Sequence, residues 1–155
     1  MKIVCVIDLD ETLGHFTTNN QFIVRPYAQI LLDFLTVLKA DIILWSYGSD
    51  AYVEHVINTY FTDTFLREKI KTRIYGRTVC EISRRKYGFT KHSQVIRKLY
   101  IDNINLIALD DRININMDSG YDLRIQIEAY NEKNTQDEEL FLTMCKIIKY
   151  LKDDL

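Results

Sequence analysis

The chain switches repeatedly between short apolar runs and apolar stripes at helical spacing. Lys2–Ile7 is a β-branched apolar run that stops at Asp8, the pattern of a strand buried on both faces of a parallel sheet. Pro26 predicts a helix start, since its missing N–H costs nothing at the first helical position, and Ile30, Leu31, Phe34, Leu35 and Leu38 form the stripe behind it. Asp41–Trp45 predicts a second strand, followed by a Ser46-Tyr47-Gly48-Ser49 turn. Ser49 or Asp50 then caps a helix that turns Tyr52, Val53, Val56, Ile57 and Tyr60 inward. Residues 78–82 predict a short strand, 106–109 a third core strand running into Asp110-Asp111, and 123–127 a fourth. Thr135-Gln136-Asp137-Glu138 reads as a capping box before a last helix lined by Leu140, Phe141, Met144, Ile147, Ile148 and Leu151. This alternation predicts an α/β fold: a Rossmann-like, mostly parallel sheet with helices on both faces. No repeat or linker divides it, so residues 1–155 are expected to form a single domain.

Composition narrows the class. With 155 residues, 47% of them hydrophobic and 27% charged, the chain can bury a core, and one Pro with five Gly excludes a fibrous or disordered protein. No apolar run approaches the ~18 residues of a membrane span. The N-terminal run reaches Asp8 too soon for a signal-peptide core. Cys5, Cys80 and Cys145 have no zinc or disulfide spacing and are expected to fill core space in a soluble, reduced, intracellular protein. His15, His55 and His92 show no metal-ligand pattern and are expected to be structural or surface residues. The net charge of −2 hides a segregation: residues 67–98 hold eleven basic residues against Glu68 and Glu81. Such a block creates a local positive potential that attracts anionic partners.

The candidate chemistry sits at strand ends, where open parallel sheets form their sites. Three clusters qualify: Asp8-Leu9-Asp10-Glu11-Thr12, Ser46-Tyr47-Gly48-Ser49 and Asp110-Asp111. Side by side they gather four aspartates, which repel one another unless a cation lies among them, and oxygen ligands without His or Cys favour Mg²⁺. Of Asp8 and Asp10, one carboxylate can attack phosphorus while the other handles protons. A lysine, Lys91 by its place ahead of the third strand and otherwise Lys86 or Lys98, supplies further positive charge for phosphoryl oxygens.

Val6-Ile7-Asp8-Leu9-Asp10-Glu11-Thr12-Leu13 resembles the first motif of the haloacid dehalogenase superfamily, D-x-D-x-T after a hydrophobic strand. The string D-L-D-E-T-L, with His15 soon after, is similar to the branch holding the C-terminal-domain phosphatases of RNA polymerase II and their small relatives. Val24-Arg25-Pro26 resembles that branch's R-P element, Ser46 its second motif, Phe89-Thr90-Lys91 its third and Leu109-Asp110-Asp111 its fourth. The run Asp137-Glu138-Glu139-Leu140 resembles the start of its last helix. The resemblance implies Asp8 as nucleophile and metal ligand, and Asp10 as general acid/base that also gives a backbone carbonyl to Mg²⁺. It implies that Thr12 orders the motif loop within a phosphate-binding set completed by Ser46 and Lys91, and that Asp110 and Asp111 complete the metal site. Arg77 lies where the family often has an arginine facing the substrate phosphate. Two departures stand out: many small relatives carry Asp-Asn and then Ser-Pro where this chain has Asp110-Asp111-Arg112-Ile113, and the segment after Cys80 is slightly longer.

Only 33 residues separate Thr12 from Ser46, and 44 separate Ser46 from Lys91. Neither interval has room for the large cap that closes the site of superfamily members acting on small metabolites. An open site beside a basic block points to a phosphorylated protein tail or peptide, such as the RNA polymerase II C-terminal domain. Tyr47, Tyr75, Tyr87 and Phe89 flank that cleft along the chain, where each is expected to serve core packing before it serves a proline ring of a phosphopeptide. The expected activity is a Mg²⁺-dependent phosphoserine/phosphothreonine protein phosphatase working through an aspartyl phosphate. The alternatives are removal of terminal phosphates from nucleic acid, which the basic block also suits, and a non-catalytic phosphopeptide-binding domain.

Overall fold

The computed structural model describes residues 1–61, 63 and 73–153. Three apolar runs become the centre of a parallel sheet because each is buried on both faces. They are β1 (Lys2–Ile7), β4 (Asp41–Trp45) and β6 (Ile104–Asp110). Two short strands, β5 (Ile74–Tyr75) and β7 (Leu123–Gln126), extend the sheet to the order β5-β4-β1-β6-β7. A hairpin of β2 (Gly14–Phe16) and β3 (Phe22–Val24) stands apart from it. Period-two alternation divides the core: Cys5, Ile7, Ile42, Leu44, Ile107 and Leu109 face one side, and Val4, Val6, Ile43, Trp45, Leu106 and Ala108 the other.

Helices cover both faces, as the sequence pattern predicts. On the first lie α1 (Ala28–Val37), α2 (Asp50–Tyr60) and α6 (Glu139–Asp153). On the second lie α3 (Arg77–Tyr87), α4 (Ser93–Arg97) and the single turn α5 (Ile113–Asn116). Residues 13–45 are taken up by the hairpin, α1 and β4. The described part of 47–90 forms α2, β5 and α3, and neither interval holds a cap among the described residues. No helix among the described residues is long and apolar enough to cross a membrane.

Several expectations are corrected. Residues 78–82 lie within α3, not in a strand: Cys80 and Ser83 turn into the core while Arg84, Arg85 and Lys86 occupy the last turn. This helix is started from outside, because Asp50 Oδ2 accepts from Thr78 Oγ1 at 2.6 Å and its Oδ1 from the Thr78 amide at 3.3 Å. Pro26 does not open α1; the helix begins two residues later, behind Tyr27 at φ 66°. Ile30 on α1, and Phe141 and Ile148 on α6, face outward. The last helix starts from Asp137, whose Oδ1 accepts the Glu139 amide, instead of a Thr135 box. Cys5 and Cys80 fill core space, whereas Cys145 is exposed.

Register places the site. Ile7 pairs with Leu44 of β4 on one side and Leu109 of β6 on the other. Residues just beyond these three carboxyl ends must therefore meet, in the crevice where the chain order reverses about β1.

Candidate active site

Asp8 leaves β1 with its amide still bonded to the Leu109 carbonyl, so its side chain starts from a rigid position. The next residues form a tight loop in which Thr12 and Leu13 amides return to the Leu9 carbonyl. Glu11 adopts a left-handed φ of 62°, and its carbonyl is held by the Tyr130 amide and Arg25 Nη1. Gly14 closes the loop: a Cβ there would lie 2.4 Å from the Phe22 ring, so only glycine fits.

Arg25 fastens this loop to the far end of the chain. Its guanidinium is almost fully buried, forks onto both oxygens of Asp137 at 2.9 and 2.8 Å, donates to the Glu11 and Thr12 carbonyls, and lies over the Tyr130 ring. A bidentate charge-assisted pair fixes orientation as well as distance. One arginine thereby ties the Asp8–Thr12 loop to the segment that starts α6.

At the floor of the cleft, Lys91 Nζ bridges Asp8 Oδ1 and Asp110 Oδ2, at 2.6 Å to each. Lys91 is 1% exposed, and Tyr121 OH and the Asn116 carbonyl hold its backbone. Thr12 Oγ1 donates to Asp8 Oδ2 at 3.1 Å. Thr12 is fully buried, so its hydroxyl braces Asp8 and does not face the cleft. The Asp110 carboxylate accepts Lys91, the Arg112 amide and Asn116 Nδ2, and is saturated. Asp111 instead lines the cleft. One carboxylate oxygen from each of Asp8, Asp110 and Asp111 fits within 4.8 Å of the others.

Burial pushes the Asp8 carboxyl well above the usual carboxylate range; Lys91 pulls it down, and Asp110 and Asp111 push it up again. Burial and Asp110 also raise Asp111, against a hydrogen bond with Asp8. Burial works against the Lys91 charge, but Asp8 and Asp110 outweigh it and hold the ammonium above its ordinary value. One lysine among three crowded carboxylates leaves an excess of negative charge. That excess, on oxygen donors alone, fits a small divalent cation such as Mg²⁺.

Across the cleft, Asp10 receives two hydroxyls: Ser46 Oγ reaches Oδ2 at 3.1 Å and Tyr52 OH reaches Oδ1 at 2.6 Å. Ser46 Oγ also accepts the Gly48 amide, which fixes its rotamer at the end of β4. Ser49 caps α2 by accepting the Tyr52 amide, as expected. Tyr52 is raised in pKa by burial and by its bond to Asp10, so it stays a donor. The Cys80 thiol, in contact with the Ser46 carbonyl, is pushed up to about 11 by burial and is no candidate nucleophile.

The cleft has a volume of about 510 Å³ and joins Asp8, Asp10, Ser46, Lys91 and Asp111 under one opening. Arg77 is not among its lining residues: its Nε donates to the Tyr47 carbonyl and its guanidinium lies over the Tyr47 ring, bracing the turn from behind. Arg84 of α3 and Arg112 reach the cleft instead. Of the four aromatics expected to flank it, only Tyr47 lines the opening. Tyr75 packs edge-on to Trp45, and Tyr87 stacks on His92. Phe16 and Ile115 supply the apolar rim, and His15 lines the mouth while pairing with Glu132. The described part of the basic block is not all free surface charge. Lys91 is buried and Arg97 holds the Gly120 carbonyl. Arg67, Lys69 and Lys71 lie outside the described residues.

Sequence reasoning missed Tyr52, Asn116 and Arg84. Only Arg84 left a signal, as one member of the basic run; the other two act through contacts that no local pattern announces.

A family model described as NLI interacting factor-like phosphatase matches residues 3–155. Among solved structures, the chain is similar to a variant of fission yeast RNA polymerase II CTD phosphatase Fcp1 bound to beryllium fluoride, with 13% identity and a TM-score of 0.58. It is also similar to Fcp1 described as an essential RNA polymerase II CTD phosphatase, with 14% identity and a TM-score of 0.52. Each likeness covers 84% of this chain and 42% of the other, so the chain spans less than half the length of those structures. The likeness extends to the five-stranded parallel sheet and its helices. No match was found among curated proteins.

Proposed function

The chain belongs to the NLI interacting factor-like phosphatase family, and from that premise we propose that it removes phosphate from phosphoserine and phosphothreonine in a protein tail, through a phosphoryl group carried on Asp8. The observation that carries this reading is the pair of carboxylates two residues apart: Asp8 held by Lys91 and Thr12, and Asp10 held by two hydroxyls.

In the proposed reaction an Asp8 carboxylate oxygen attacks phosphorus. The bond from phosphorus to the serine or threonine oxygen breaks, and Asp10 gives that oxygen its proton. A water then attacks the phosphoryl group while Asp10 takes the water's proton. The acyl phosphate bond breaks, releasing inorganic phosphate and restoring the Asp8 carboxylate. Lys91 and Ser46 face the phosphoryl oxygens, and Arg84 takes the part that the family resemblance implies for Arg77. Asp110 serves as the anchor of Lys91. Asp8, Asp111 and the Asp10 carbonyl would hold Mg²⁺, whose charge offsets the repulsion between the carboxylates and the substrate phosphate.

The substrate class rests on access. With no cap among the described residues, the cleft admits a phosphate carried on a polymer, and Arg84 and Arg112 at its walls favour an anionic one. The RNA polymerase II C-terminal domain is the tail that the structural relatives' descriptions name.

The test is a substrate panel with Mg²⁺: matched phosphoserine, phosphothreonine and phosphotyrosine peptides, and a 5′-phosphorylated oligonucleotide. Release from the first two should exceed the others by about tenfold or more in kcat/KM. A preference for the oligonucleotide would replace the protein substrate with nucleic acid. Tight phosphopeptide binding without release would leave a binding domain.

A further inference from the structure

We infer that Tyr52 is a positioning residue for Asp10, fixing the carboxylate that the proposed mechanism uses as acid and base; the inference rests on that mechanism. Tyr52 OH lies 2.6 Å from Asp10 Oδ1. The hydroxyl is aimed by its surroundings. Tyr52 sits in the first turn of α2, its amide held by Ser49 Oγ at 3.2 Å. Its ring lies against the Gly48 backbone so closely that a Cβ on Gly48 would be 2.5 Å from it. The Phe16 ring meets it edge-on, with centroids 5.6 Å apart. Glycine behind and phenylalanine across leave the phenol little freedom to swing.

Ser46 cannot do the same work. Its hydroxyl has a single proton, now given to Asp10 Oδ2. When a substrate phosphate enters, the proposed mechanism gives that proton to a phosphoryl oxygen. Ser46 can then no longer donate to Asp10, and Tyr52 is the side-chain donor that remains of the two the structure places there. A carboxylate free to rotate would meet the leaving oxygen in the right orientation less often. Misplacement on the scale of 1 Å is enough to cost about 10²-fold in rate.

The consequence depends on the leaving group. A poor leaving group needs its proton from Asp10 as the P–O bond breaks, whereas a good one departs unaided. In a two-step reaction, kcat/KM reports events through that bond cleavage. The experiment measures kcat/KM with Mg²⁺ for wild type and Tyr52→Phe on aryl phosphates from 2,4-dinitrophenyl phosphate to phenyl phosphate. Tyr52→Phe should lose about tenfold or more on phenyl phosphate and less than about twofold on the dinitrophenyl ester. In an Asp10→Asn background the same change should do nothing. Gly48→Ala, which displaces the ring and keeps the hydroxyl, should reproduce the leaving-group pattern if Tyr52→Phe proves too unstable to assay.

An equal loss across the series, or a rise in KM with kcat unchanged, would overturn the inference while leaving the phosphatase reading intact. Absence of turnover by folded wild type on every ester would overturn that reading and this inference with it.

Discussion

Asp8→Asn should abolish Mg²⁺-dependent hydrolysis of an aryl phosphate, a loss on the order of 10⁴-fold or more. The substitution keeps the shape of the side chain and an oxygen that can accept from Lys91 or Thr12, the two groups that hold Asp8 at 2.6 and 3.1 Å. What it removes is the anionic oxygen able to attack phosphorus, which three of its neighbours cannot replace. Asp10 is turned toward Ser46 and Tyr52, Asp110 is saturated, and the Cys80 thiol is raised by burial. The fold should survive, because Lys91 keeps Asp110 as its counter-ion. Steady-state rates beside a circular-dichroism melt separate the two effects. A folded Asp8→Asn protein retaining a tenth of wild-type activity would rule out Asp8 as the nucleophile.

Lys91→Met should be the most destabilising change in the site, and should also cost about 10²–10³-fold in kcat. Lys91 is the cation between Asp8 and Asp110, 6% and 0% exposed respectively, and all three are held at the centre of the floor. Removing one member of a buried ionic set leaves uncompensated charge and costs about 3–5 kcal/mol. The loss should depend on pH, with a definite sign. The Asp8 carboxyl is raised, so the stability it contributes is full below the ordinary carboxylate range and is lost as pH rises through its native value. Lys91 is what pulls that value down, and its own raised value keeps it charged well beyond neutrality. Urea melts without added Mg²⁺ should therefore show a larger loss near about pH 8 than near about pH 5. Adding Asp110→Asn to Lys91→Met should restore part of the stability and none of the turnover. A Lys91→Met protein as stable as wild type at both pH values would mean that Asp8 and Asp110 do not depend on Lys91.

What the sequence disclosed follows how local each signal is. The strands β1 and β4 could be read with their full bounds, because both faces are buried and the apolar run stops where the strand stops. Residues 78–82 misled because Thr78, Val79 and Ile82 are β-branched. Their helix is selected by a tertiary event, capping by Asp50 from another element 28 residues away, that no local propensity contains. The boundary of α1 failed for a similar reason: Pro26 follows Arg25, which the loop and Asp137 hold in place.

The site divides in the same way. Asp8, Asp10, Ser46, Asp110 and Asp111 stand at strand ends, so their meeting follows once the sheet is parallel and β1 is central. Lys91 was legible by its position ahead of β6, although its burial between two aspartates was not. Tyr52 and Arg25 act through partners 42 and 112 residues away; Tyr52 looks like an ordinary helix residue along the chain, and the R-P element marks Arg25 without revealing its partner. Arg77 and Arg84 share α3, and only the direction of that helix decides which one reaches the cleft.

The most direct measurement is to quench wild type with acid during turnover of a phosphopeptide with Mg²⁺, and to locate any phosphoryl group by mass spectrometry. One phosphoryl group is expected on the peptide carrying Asp8, at that residue, and none in the Asp8→Asn protein. Turnover with the phosphoryl group on another residue, or with none trapped under conditions where hydrolysis of the intermediate is slow, would contradict it.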